Sequence, residues 1–97
     1  MKAQITGQNI DITPALREYT EDKLDKLQKL SENIISIHVT FNIHHLDHNA
    51  DGQINIPGSV IHASASSTES MYTAITIMVD KLFKQLKKHH EKLVEHH

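Results

Sequence analysis

The sequence predicts an α+β fold of element order β-α-β-β-β-α, with a four-stranded mixed sheet and two helices packed on one face. Three observations predict it. From Thr68 to Leu93 the residues Met71, Ile75, Met78, Val79, Leu82, Leu86 and Leu93 fall on one side at helical spacing, the signature of an amphipathic helix long enough to cross a domain. From Ile35 to His45, Ile35, Ile37, Val39, Phe41 and Ile43 alternate with polar residues, the period of a long strand with one buried face. A strand joined through a helix to the next strand favours right-handed parallel pairing, and consecutive strands without a helix between them favour an antiparallel meander.

In chain order, Lys2 to Thr6 alternates as a half-buried strand and Gly7 ends it. Thr13-Pro14 then starts a helix: the hydroxyl can accept a first-turn amide bond, and the proline ring has the φ of a first helical position. That helix is expected from Pro14 to about Leu30, with Leu16, Tyr19, Leu24, Leu27 and Leu30 inward and a mixed-charge solvated face. On that face Asp22 with Lys26 and Asp25 with Lys29 are favourable i, i+4 pairs. After the Ile35–His45 strand, the run Leu46 to Gly52 has turn composition, because Asp, Asn and Gly accept left-handed and self-bonded backbone. Gln53 to Ile56 is expected as a short strand, Pro57-Gly58 as a tight reversal, and Val60 to Ser66 as a strand with Ile61, Ala63 and Ala65 inward. Small alanines there let the long helix approach the sheet.

The 97 residues make one domain, 1–97, large enough to bury a core without staples. There is no cysteine, which suits a reducing compartment and excludes thiolate zinc sites and cysteine nucleophiles. The opening MKAQITGQNIDI lacks the apolar run of a secretory signal, and no stretch has the length of a membrane span. A soluble, cytoplasmic protein is expected. A net charge of −2 hides an uneven distribution, since all ten Lys and Arg lie at or before Lys29 or at or after Lys81.

Three constellations could carry chemistry. Asp47-x-Asn49-x-Asp51-Gly52 matches the first half of a calcium loop, but position twelve is Gly58 where a bidentate carboxylate is required, and the flanks read as strands. Turn chemistry is the better account. Among the nine histidines, His44, His45 and His48, with Asp47 and His62 near by, have no metal-ligand spacing. A solvated polar face is the first expectation; the functional variant is that they serve as part-time cations against phosphate, since histidine titrates close to neutral pH. Lys81, Lys84, Lys88 and Lys92 recur at i, i+3, i+7 and i+11, forming a row roughly 130° round the helix from the apolar stripe. Between Lys81 and His90 there is no carboxylate. A charge run on a helix usually serves only solubility, yet here the carboxylates fill the first helix and are missing from this segment. With no phosphate loop, no Ser/His/Asp set and no paired carboxylates, an enzyme is not expected.

Several separated motifs, in order, carry a resemblance that covers nearly the whole chain: Ile5-Thr6-Gly7, Asn9-Ile10, Ile12-Thr13, Ala15 to Tyr19, Ile61 to Ala65, Met71-Tyr72, Ala74-Ile75, Asp80 to Leu82, Gln85-Leu86 and Lys88-His89. On them the chain resembles the bacterial hibernation-promoting factor family, which includes ribosome-associated inhibitor A. The resemblance implies a fold akin to the double-stranded RNA-binding domain, and binding to the small ribosomal subunit where messenger and transfer RNA lie. It implies translational silencing in stationary phase or stress, with no catalysis, no cofactor and no membrane. In length the chain is similar to the short members, which favour pairing of idle ribosomes into dimers. Such pairing would be indirect, through the small subunit or with a partner such as a ribosome modulation factor, and the free protein is expected to be a monomer. Relatives commonly carry lysines in the second strand and the turn after it, where this chain has Asn42, His44, His45 and His48; in the second helix Lys84 stands where arginine is common. RNA contacts are therefore expected first at Lys81, Lys84, Lys88 and Lys92, then at Lys87, His89, His44 and His45. The competing reading is a free-standing RNA- or protein-interaction module that uses the same helix face.

Overall fold

Strand pairing sets the frame on which everything else is placed. In the computed structural model, which describes residues 3–94 and the side chains of residues 3–90, the elements are β1 (Gln4–Gly7), α1 (Pro14–Leu30), β2 (Ser36–His44), β3 (Asp47–Ile56), β4 (Ser59–Ser67) and α2 (Met71–Val94). The sheet order is β1-β2-β3-β4. β1 runs parallel to β2 with Ile5 opposite Val39, and β2, β3 and β4 form an antiparallel meander in which Val39, Gly52 and Ala63 are successive partners. Both helices lie on one face, as the patterning predicts. Lys2, expected to open the first strand, and the side chains of Lys92 and Leu93 lie outside the described residues.

Each helix buries the stripe that its spacing predicts. In α2, Met71, Ile75, Met78, Val79, Leu82 and Leu86 are all buried, joined by Ala74. In α1, Leu16, Leu24 and Leu27 are buried, while Tyr19 and Leu30 pack against the core from its margin. Thr13 caps α1 by accepting the Leu16 N–H at 3.1 Å, with Pro14 at the first turn. The patterning does not single out Thr20, which is fully buried and donates its hydroxyl to the Leu16 carbonyl at 2.8 Å. That bond lets a polar side chain sit in the core without an orphaned donor.

Three local expectations are corrected. The run Leu46 to Gly52 is not a turn: β3 starts at Asp47, and only His45 and Leu46 link β2 to β3. Turn-like composition is overridden because Ala50 and Gly52 alternate inward with Ile54 and Ile56, and small residues are what the close helix demands. A methyl on Gly52 would lie 2.5 Å from Met78 Sδ and 2.7 Å from Leu82 Cδ1. Ile35 is not a core residue. It precedes β2, donates its N–H to the Asn55 carbonyl, and is 63% exposed, while Ile34 takes the buried place. Finally, α2 starts at Met71 and not at Thr68, because the Ser70 hydroxyl accepts the Thr73 N–H at 3.1 Å and so caps the first turn. At the other end of β3 the expected Pro57-Gly58 reversal is present, with Gly58 at φ 76.

Candidate nucleic-acid interface

Seen down α2, the side chains divide into three sectors. The core sector faces the sheet. The sector toward α1 is an aromatic seam: the Tyr19 and Tyr72 rings meet edge to face at 4.9 Å, Tyr19 Oη and Thr76 Oγ1 share a hydrogen bond of 2.6 Å, and Lys26 Nζ sits 5.5 Å from the centre of the Phe83 ring. The third sector, outward and toward the β4 edge, holds the lysines.

Within that sector the lysines are not equivalent. Lys84 and Lys88 are exposed, as is Lys87. Lys84 Nζ lies 3.2 Å from Asp80 Oδ2, one turn earlier; the expectation of an unneutralised row is thus modified by the carboxylate just before it. Both groups are at least half exposed, so the pair is loose and contributes little to stability. Lys81 does not simply face outward. Its Nζ donates to the Ser64 carbonyl at 2.9 Å, and one turn on, Gln85 Nε2 donates to the His62 carbonyl at 2.9 Å. Lys87 and Lys88 have no partner among the described residues, and His89 is half-buried beside Ile56, Pro57 and Leu86.

The electrostatics of the neighbouring surfaces give this sector a direction. The outer surface of α1 carries Glu18, Glu21, Asp22 and Asp25 around a shallow depression, which would repel phosphate. Among the described residues, the uncovered face of the sheet is polar and without lysine or arginine. Its rows are His38, Gln53 and His62, then Thr40, Asp51 and Ser64, then Asn42, Asn49 and Ser66. Asn49 Nδ2 donates to Asn42 Oδ1 at 2.8 Å, and Asp51 accepts from the Ser64 hydroxyl and stands 3.4 Å from His62 Nε2. Arg17, Lys23, Lys26 and Lys29 of α1 are interleaved with its carboxylates, so positive charge in net excess is found on the outer and β4-facing sectors of α2, where a polyanion meets it with least opposition.

The strand histidines lie elsewhere. His48 pairs with Ser67, just before α2, whereas Lys81 reaches Ser64 and the row runs on toward the far end of the sheet. His44 and His45 are exposed at the β2–β3 turn; the strand expected to run to His45 ends at His44, His45 lies in the turn, and their rings are 4.2 Å apart. His48 faces the helices, in a groove with Ile10, Leu16 and Met71, and its Nδ1 has no hydrogen-bond partner. Asp47, Asn49 and Asp51 alternate along an extended strand, a geometry in which they do not converge on one ion, and no group of three metal-ligating residues exists among the described residues. No helix of the described residues is long and apolar enough to cross a membrane. The Lys81–Ser64 and Gln85–His62 bonds are beyond sequence reading; the only trace they leave is the i, i+4 spacing of two long polar side chains beside the buried stripe.

Comparison with known proteins sets this geometry in context. The family described as sigma 54 modulation protein / S30EA ribosomal protein matches residues 3–94. The ribosome hibernation promoting factor of Escherichia coli (strain K12) is 40% identical over 96 residues, covering 99% of this chain and 100% of that protein. That of Azotobacter vinelandii is 36% identical over 95 residues, covering 98% of this chain and 88% of that protein. Among solved structures, a ribosomal subunit interface protein from Coxiella burnetii superposes with a TM-score of 0.87 at 42% identity, over 94% of this chain and 99% of that one. The N-terminal domain of Thermus thermophilus Protein Y gives a TM-score of 0.84 at 28% identity, over 92% and 99%.

Proposed function

This chain belongs to the sigma 54 modulation protein / S30EA ribosomal protein family, and from that membership and the basic sector of α2 we propose that it is a ribosome hibernation factor. It binds the small ribosomal subunit in the channel used by messenger and transfer RNA, stops translation by occupying it, and favours the pairing of idle ribosomes. The observation that carries this reading is the 40% identity, over 99% of the chain, to a protein named ribosome hibernation promoting factor. It acts without catalysis, in the cytoplasm where ribosomes are.

Physically, the function asks for a polyanion-binding surface on a rigid support. Lys84, Lys87 and Lys88 provide exposed ammonium groups on a helix whose opposite face is locked into the core by Leu82 and Leu86. Each phosphate they neutralise releases condensed counterions, so affinity falls steeply with salt. Ribosome pairing follows indirectly from a change in the occupied small subunit.

Sedimentation tests the proposal. Purified protein mixed with ribosomes should migrate with the small subunit, inhibit translation in a cell-free system, and enrich paired ribosomes when a ribosome modulation factor is also present. Protein that stays at the top of the gradient at low salt would overturn it.

A further inference from the structure

The β2–β3 turn has a composition that its own stability does not explain. A two-residue hairpin loop favours glycine, asparagine or aspartate where φ is positive, yet His45 adopts φ 57, alone in this among the non-glycine residues described. A Cβ in the left-handed region is disfavoured, and burial offers nothing in return. His44 and His45 are exposed, and Leu46 at 79% is the most exposed of the large apolar side chains described. The two imidazole rings meet edge to face with centroids 4.2 Å apart. Strain and exposed apolar area at one tip, which folding does not use, are the pattern of a contact made with something else.

The charge map says what that partner offers. No lysine or arginine lies between Lys29 and Lys81, so the tip carries no permanent cation of its own for phosphate, and Asp47 directly follows it. What it presents is two flat rings and one leucine, which suit the π-face of an unpaired base, as aromatic and imidazole side chains do in single-stranded RNA recognition. One leucine set between an imidazole and the Asp47 carboxylate is a poor match to an apolar protein pocket. Leu46 lies five residue steps along the strand from Asp51, the partner of Ser64, near which Lys81 is held, a distance of about 17 Å.

We propose that the His44-His45-Leu46 tip is a base-stacking wedge, inserted against unstacked nucleotides of the ribosomal RNA whose phosphates are held by α2. This deepens the ribosome-binding reading and rests on it. Backbone charge and base stacking would then be read about a strand length apart, so that the protein selects RNA with exposed bases at a set distance from the held phosphates.

The test uses the full chain, purified small ribosomal subunits, and three variants: His45→Gly, Leu46→Ser, and Lys84→Glu with Lys88→Glu. Because glycine accepts the positive φ, His45→Gly should raise the melting temperature while weakening subunit binding about tenfold, the scale of one lost stacking contact. Leu46→Ser should weaken binding without changing the melting temperature. For both, the slope of affinity against salt should match wild type, since no phosphate contact is lost, whereas the lysine variant should flatten it. A photo-reactive side chain at position 46 should cross-link to RNA; exclusive cross-linking to a ribosomal protein overturns the wedge. If the lysine variant loses binding and both tip variants bind like wild type, the wedge is wrong and the ribosome reading stands. If wild type itself fails to bind, both fall.

Discussion

Gly52 and Leu82 occupy a space that has room for one of them to be large: a methyl placed on Gly52 would stand 2.7 Å from Leu82 Cδ1. Leu82 is fully buried, and its strand neighbours across the meander are small, with Ala63 paired to Gly52. The close approach of α2 to β3 depends on this fit.

Leu82→Ala should therefore destabilise the fold by about 2–5 kcal/mol, and Gly52→Ala by about 1–3 kcal/mol through overpacking. The double variant should lose less than the sum of the two, because the added methyl enters the cavity left by the leucine. Urea denaturation of the set checks this; strict additivity would mean that the two sites do not share a space.

The exposed lysines should behave in the opposite way. Lys84→Glu with Lys88→Glu should leave stability within about 0.5 kcal/mol, since only the solvated Asp80 pair is lost. Co-sedimentation with ribosomes should fall sharply at moderate salt. Unchanged co-sedimentation would assign the row to solubility alone.

Lys81 should differ from both of them. Its hydrogen bond to the Ser64 carbonyl makes it a structural residue as well as a charged one, so Lys81→Met, which keeps the apolar stem, should cost about 0.5–1 kcal/mol in addition to weakening ribosome binding. Thermal melting beside the Lys84 and Lys88 variants distinguishes the two classes of lysine.

The seam between the helices can be taken apart in two steps. Tyr19→Phe removes the 2.6 Å bond to Thr76 and keeps the ring contact, for a loss of about 0.5–1.5 kcal/mol. A cycle of Tyr19→Ala and Tyr72→Ala should then return a coupling of about 0.5–1.5 kcal/mol for the edge-to-face pair. Zero coupling in chemical denaturation would show that the rings only share burial.

What could be read from the sequence was what depends on near neighbours. The stripe from Met71 to Leu86 is legible because a helix facing one core must repeat at its own period, and the lysine row is legible for the same reason. The first half of β3 was not. Asp47, Asn49, Asp51 and Gly52 carry turn chemistry, and only the approach of Met78 and Leu82 from α2 makes glycine at that point a packing choice. Likewise Ile35 has the right parity for the core, but the strand proper starts one residue later and Ile34 takes the buried place. The double role of Lys81 depends on a carbonyl that another part of the chain delivers, and no local pattern encodes that.

The outer edge of β4 has a consequence for self-association. An open strand edge is a template onto which another chain can add, and proteins that accumulate must block it. Here two successive outward carbonyls, of His62 and Ser64, are already occupied by Gln85 and Lys81, while the opposite edge, β1, is only four residues long. Addition of a second copy along this edge is thus opposed. If Lys81 exchanges the Ser64 carbonyl for phosphate, that part of the edge is freed only on docking.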